Sequence, residues 1–116
     1  MTLKRDTLFI LRAPFEDPEL DGTWFCRDCA TIEGALLANP QWARAIDIQR
    51  MPFPRPRHEI IALIGEDNQS MPVLVLADLT KAGGDALMAG TTPFITNPTA
   101  ICRYLVATCG GAGPHP

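Results

Sequence analysis

The sequence predicts an α/β domain whose elements run βαβ, helix, ββ, helix, a four-stranded sheet of mixed direction flanked by helices. Three observations carry this. Thr7–Leu11 and Val73–Leu76 are short, bulky apolar runs, as strands buried on both faces require. A helical pattern from Arg27 to Ala38 stands between the first run and the alternating segment Ile46–Met51, so strand, helix and strand follow one another as in a parallel crossover. A last helix opens at Asn97-Pro98, directly after a returning strand at Phe94–Thr96. With 116 residues, 47% of them apolar, the chain suits a single domain over residues 1–116 that can bury a core of its own.

Each element has a local cause. After Thr7–Leu11, residues Ala13 to Trp24 are rich in Pro, Asp, Glu and Gly and read as a long exposed loop. In the helix that follows, Cys29, Ile32 and Leu36 share one face, Ala35 and Leu37 widen it, and Asn39-Pro40 stops it. Gly34 costs roughly 1 kcal/mol against alanine there, which points to close packing on a neighbouring backbone. Ile46–Met51 alternates apolar and polar, as a strand exposed on one face does. Pro52-Phe53-Pro54-Arg55-Pro56-Arg57 is too stiff for a strand or helix interior. A short helix from His58 to Ile64 buries Ile60, Ile61 and Ile64 and ends near Gly65. Val73–Leu76 is the central strand, and Asp78–Thr92, with three glycines, is a wide hairpin connection. Asn97 caps the last helix, Pro98 starts it, Ile101, Tyr104, Leu105 and Thr108 share a face, and Gly110-Gly111 ends it.

Composition excludes some classes of function. A formal net charge of −3 argues against a nucleic-acid binder, whose affinity rests on a basic surface. The apolar run Leu8–Leu11 after Lys4 and Arg5 is far too short for a signal or membrane segment, so neither a membrane nor export is expected. A cytoplasmic setting follows, and in a reducing compartment the four cysteines are not a disulfide framework.

Most of the chemistry lies in Cys26-Arg27-Asp28-Cys29, which follows Trp24-Phe25 and opens the first helix. Two thiols at this spacing can close a small disulfide, and a helix amino terminus favours a thiolate at the first of them. Arg27 supports that charge and Asp28 opposes it. Cys26, ahead of the helix, is the candidate nucleophile, and Cys29, one turn in, the resolving thiol. Two plainer readings stand beside this one: a fold that keeps the pair without redox work, and a structural metal site. Cys102 and Cys109 on the last helix read as packing, and a four-cysteine zinc site is allowed by count alone. Trp24 shields the motif or forms one wall of a binding site. Gln69 and Ser70 form a turn or bond a substrate backbone. His58 reads as a helix cap and His115 as part of a loose tail.

In this order, Cys26/Cys29, Met71-Pro72 before a strand, and Asn97-Pro98-Thr99-Ala100-Ile101 opening the last helix resemble the thioredoxin-like superfamily, especially glutaredoxins and the amino-terminal domain of glutathione transferases. The resemblance implies that Cys26 and Cys29 are the catalytic pair and that Met71-Pro72 is a cis-proline whose Met71 backbone faces the Cys26 sulfur and pairs with a thiol substrate. It further implies that Asn97 and Thr99 hold the γ-glutamyl end of glutathione, with Arg50, Arg55 and Arg57 along the rim for the other carboxylate. Helix capping and solvated charge are the plain alternatives for these residues. More narrowly, Phe15-Glu16-Asp17-Pro18, Cys26 to Cys29, Glu33-Gly34, Phe53-Pro54-Arg55-Pro56-Arg57, Asn68-Gln69-Ser70, Pro72–Leu76 and Pro114-His115-Pro116 are similar to a bacterial family known as domain of unknown function 3088. That likeness spans almost the whole chain and implies no activity. Two departures from the redox relatives matter: a long loop precedes the cysteines, and neither proline nor glycine lies between them.

Two classes of function follow. The first is a small cytoplasmic thiol–disulfide oxidoreductase with glutathione as co-substrate and no resident cofactor or metal, its partner a thiol or disulfide on a small molecule or protein. The second is a non-catalytic binding module for a protein partner or a metal, with the acidic loop Glu16–Asp21 and the loop 52–57 as contact surfaces. Full glutathione transferase catalysis is not expected, because no helical second domain follows Pro116.

Overall fold

A computed structural model describes residues 3–116. Five strands form one mixed sheet: β1 (Thr7–Leu11), β2 (Asp47–Met51), β3 (Val73–Val75), β4 (Leu87–Ala89) and β5 (Thr92–Ile95), in the order β2-β1-β3-β5-β4. β1 and β2 are parallel, with Thr7 opposite Asp47 and Leu11 opposite Met51; every other pairing is antiparallel. The helices are α1 (Arg27–Ala38), α2 (Trp42–Ala45), α3 (His58–Ile64) and α4 (Pro98–Cys109). All five residues of β1 and all three of β3 are buried, so both faces of the sheet centre are covered. None of the described helices is long and apolar enough to cross a membrane.

The expected sheet has four strands; the described residues form five. The extra one, β4, lies inside the segment taken as a wide connection. Ala89 pairs with Thr92, leaving a two-residue turn, Gly90-Thr91, whose Gly90 has φ +60°. Glycine at the first central position is what a tight hairpin of the II′ kind requires, because a side chain there would clash. Pro93 sits in β5 without disrupting it, since it offers only its carbonyl, which accepts from the Leu76 N–H at 2.9 Å.

Other expectations shift in detail. Gly34 is exposed and a Cβ there would meet nothing within 4 Å, so no close backbone approach explains it. Leu37 is 84% exposed and leaves the apolar face of α1 narrower than expected. In α3, Ile60 and Ile64 are buried but Ile61 is only half-buried, and on α4 Thr108 is exposed where Ile101 and Leu105 are buried. The four-residue α2 went unread, although it buries Trp42 against the core.

Two polar tethers fix the outer elements. Asp6, just before β1, accepts from the Tyr104 hydroxyl of α4 at 2.7 Å and from the Ala77 N–H after β3 at 2.8 Å. Buried Asn39, at the carboxyl end of α1, accepts from the Ala112 N–H at 2.7 Å and donates to the Ala112 and Ala35 carbonyls. The Trp42 indole N–H reaches the Gly110 carbonyl at 2.8 Å. α1 packs beside α4, and these bonds hold the chain's end across that pair.

Candidate functional site

The two cysteines sit where strand β1 hands over to α1, and the helix start explains their different surroundings. Cys26 is the N-cap residue, with an extended backbone, and its Sγ accepts from the Cys29 N–H at 3.3 Å. A side chain in this position satisfies one of the helix's unpaired amides. The same sulfur lies 3.9 Å from the Met71 carbonyl. Cys26 is half-buried and Cys29 is 2% exposed, its Sγ accepting from the Leu11 N–H at 3.4 Å. Burial pushes the Cys29 thiol up from its ordinary 9.0 to about 12; the Leu11 N–H pulls the other way, and Cys26 and Asp28 add to the rise. Both thiols are free. One sulfur thus faces outward at a helix amino terminus, and the other is held neutral behind it.

The Met71–Pro72 bond is cis, as the resemblance implied, and both residues are buried. Ala13–Pro14 and Arg55–Pro56 are cis as well. The stretch leading to Met71 is held by Arg57, a residue read either as a rim ligand or as a solvated charge and only 6% exposed. Its guanidinium donates to the Gln69 carbonyl at 2.8 Å and to the Phe53 carbonyl, and its own N–H donates to the Gln69 side chain at 2.8 Å. Its Nε has no partner among the described residues. Burial lowers the Arg57 pKa and nearby Arg55 adds to that, while Cys29 and Cys26 act in the opposite sense. Arg57 is therefore the buried cation on the cysteines' side of the fold. The sequence carried one signal for it: an arginine followed at once by the first turn of α3, after a proline-stiffened run.

An aromatic wall supports this loop from the other side. Phe15 and Trp24 exchange both backbone hydrogen bonds at 2.9 Å, closing the long loop before α1 into a bridged ring. Phe15 stacks on Phe53 with centroids 4.6 Å apart and planes 7° from parallel, and the Arg57 guanidinium lies 5.8 Å from the Phe53 centroid. The loop read as merely exposed is thus pinned to the proline-rich segment. Trp24 joins it through its backbone and is itself 42% exposed.

Among the described residues the remaining sequence candidates make no hydrogen bond to the pair. Arg50 grips Glu33 with two hydrogen bonds of 2.7 and 2.9 Å, which holds that carboxyl below the usual range. Asn97 spends its side-chain oxygen on the Ala100 N–H at 3.0 Å, a plain helix cap, and Thr99 is half-buried in the first turn of α4. Arg55 is exposed, and among the described residues its side chain makes no hydrogen bond. Ser70 is exposed beside Met71, whereas Gln69 is committed to Arg57. His58 opens α3 without a side-chain cap, the Arg57 position before it serving as N-cap. Cys102 is buried and Cys109 half-buried, in keeping with packing. Among the described residues no three His, Cys, Asp or Glu side chains converge.

Next to the cysteines lies a cleft of about 240 Å³, lined by Leu11, Ala13, Phe25, Cys26, Cys29, Ala30 and Glu33. The arrangement gives a half-exposed sulfur an apolar recess on one side and a backbone carbonyl on the other. No curated protein and no solved structure matches the chain. The model of the family described as "Protein of unknown function (DUF3088)" matches residues 5–113. Nearly the whole sequence lies within that match, and the chain belongs to the DUF3088 family.

Proposed function

We propose that this protein is a thioredoxin-like thiol–disulfide oxidoreductase in which Cys26 is the nucleophile and Cys29 the resolving thiol. One observation carries the reading: the Cys26 sulfur caps α1 between the Cys29 N–H and the carbonyl that precedes cis-Pro72. The strand order β2-β1-β3-β5, with its parallel first pair and antiparallel second, supports the fold assignment, β4 being an addition at the outer edge. In the reaction the Cys26 thiolate attacks one sulfur of a substrate disulfide, and the displaced thiolate takes up a proton. Cys29 then loses its proton, attacks the Cys26 sulfur and expels the second thiol. Two electrons pass from the dithiol to the substrate, and two equivalents of a solution thiol such as glutathione restore the reduced pair, leaving joined as its disulfide. Four free cysteines suit a reducing, cytoplasmic setting.

The test is equilibration against reduced and oxidised glutathione, with the state of each cysteine read by alkylation and mass spectrometry. A Cys26–Cys29 disulfide should form and reverse. Cys26→Ser should abolish exchange, and Cys29→Ser should accumulate a mixed disulfide at Cys26 when no other thiol is supplied. Full exchange in Cys26→Ser would sink the proposal. The burial of Cys29, held as a thiol far above neutrality, favours a second reading, a binding module on the same frame. That reading predicts ligand capture which survives Cys26→Ser.

A further inference from the structure

The cleft beside Cys26 says what kind of disulfide fits there. Its walls are Leu11, Ala13, Phe25 and Ala30, and the ionisable groups lining it are the two cysteines and Glu33. Glu33 is already held by Arg50 at two points, so the cleft offers an incoming carboxylate no free cation. A carboxylate entering it would lose hydration beside Glu33 and meet no free side-chain cation among the lining residues, which is unfavourable. Of the groups implied to anchor glutathione, Asn97 is engaged on Ala100 and Arg50 on Glu33, and neither these nor Thr99 and Arg55 line the cleft. Phe25 lines the cleft while remaining 64% exposed, leaving an apolar surface open to a ligand. At about 240 Å³ the recess accommodates one ring or branched alkyl group. Sites for whole drug-sized molecules run to roughly 300–1,000 Å³.

We infer that Cys26 acts on a low-molecular-mass disulfide bearing a compact, uncharged apolar arm, which the Leu11–Ala13–Phe25–Ala30 cleft receives, and that glutathione disulfide is not its preferred oxidant. This rests on the redox reading above. The Cys26 thiolate attacks the sulfur carrying that arm, the S–S bond breaks, and the other half leaves as a thiolate that is protonated from water. Attack by Cys29 on the Cys26 sulfur then frees the apolar thiol, leaving the protein oxidised by two electrons.

The experiment measures one-step labelling, which does not need turnover. Reduced protein is treated with benzyl methanethiosulfonate or 2-sulfonatoethyl methanethiosulfonate. Each transfers its RS group to a thiolate and releases methanesulfinate. Rates at Cys26 are read by site-resolved mass spectrometry and divided by the rates on a short cysteine peptide. The normalised ratio should favour the benzyl reagent by about tenfold, equivalent to about 1.4 kcal/mol. It should fall toward one in Phe25→Ala and in Ala30→Glu, two exposed positions where the fold should tolerate change. A ratio near one in the wild type, or one unchanged in both variants, overturns the inference. Faster labelling by a disulfide-linked Phe-Cys peptide than by the benzyl reagent overturns the commitment to a small molecule. Glutathione titration of the same sample tests the redox reading separately. Selectivity without Cys26–Cys29 cycling removes the oxidoreductase but leaves the cleft; cycling without selectivity does the reverse.

Discussion

Replacing Arg57 with methionine tests whether one buried guanidinium holds the loop behind the cysteines. Arg57 is 6% exposed and donates to the Gln69 and Phe53 carbonyls. Methionine keeps much of the stem but donates nothing, so two bonds from a charged group are lost, each worth about 1.5–3 kcal/mol. Against that, the change removes a buried charge whose Nε lacks a partner among the described residues, and relief of an unsatisfied donor returns roughly 1–3 kcal/mol. The net expectation is a loss of about 2–3 kcal/mol. Arg55→Met is the matched control, because Arg55 stands exposed on the same loop and should change stability by no more than about 0.5 kcal/mol. Urea unfolding by circular dichroism gives the stabilities, and the Cys26 alkylation rate in native buffer gives the second readout. Gln69 leads into Met71, whose carbonyl faces the Cys26 sulfur, so Arg57→Met should alter that rate and Arg55→Met should not. Equal midpoints and equal labelling in the two variants would refute the reasoning.

Three further outcomes are expected. Gly111→Ala should loosen the carboxyl-terminal tail, because Gly111 has φ +102° and a Cβ there would stand 2.3 Å from the Asn39 side-chain oxygen; thermal melts should drop, whereas Gly113→Ala, meeting only Val106 at 3.6 Å, should be near neutral. At alkaline pH, Cys29 and Tyr104 hold their protons more tightly folded than unfolded, so their contribution is intact below the ordinary values of 9.0 and 10.0 and is lost as pH rises. Stability should therefore decline from about pH 9 upward in denaturant titrations, with a shallower slope in Cys29→Ala and in Tyr104→Phe. The Glu33–Arg50 pair acts with the opposite sign: Glu33 is depressed from 4.5, so its contribution is present above that value and fades as pH falls through the lower folded one. Both side chains are 40% or more exposed, so Glu33→Gln should cost only about 0.2–1 kcal/mol at neutral pH and less in high salt.

What the sequence revealed divides by the range of the forces involved. Buried strands and capped helices announce themselves locally: Asn97-Pro98 opens α4 where a cap and an N1 proline require, and Val73–Val75 is buried throughout. β4 was legible only through the two-residue spacing around Gly90-Thr91, a weak signal beside the glycines at 83 and 84. Cys26 and Cys29 lie three residues apart in one motif, so the helix-start geometry that separates them could be read directly. Arg57 could not be read this way. Its burial depends on Gln69 twelve residues on and on Phe53 stacked against Phe15 from the far loop, and locally only its place directly before α3 distinguishes it from exposed Arg55. Arg50 likewise finds its partner, Glu33, seventeen residues away, whereas the cap Asn97 forms on Ala100 is local and legible in the sequence.

The depth of Cys29 bears on how the proposed exchange would run. Burial is the largest reason its thiol is raised, and contact with Cys26 and that residue's charge are smaller ones. Once Cys26 is bound in a mixed disulfide, only the smaller contributions disappear. A thiol raised this far by burial is scarcely ionised at neutral pH, so attack by Cys29 is slow unless the start of α1 opens. The mixed disulfide at half-exposed Cys26 then persists long enough for a thiol from solution to reach it. On the redox reading, the choice between an internal disulfide and release by an external thiol is set by thiol concentration rather than by the motif alone. Cys29→Ser should consequently retain much of its turnover at high glutathione and lose it at low glutathione, while Cys26→Ser is inactive throughout. A Cys29→Ser protein as inactive as Cys26→Ser at every glutathione concentration would mean that the first turn of α1 opens readily and that the burial of Cys29 places no limit on catalysis.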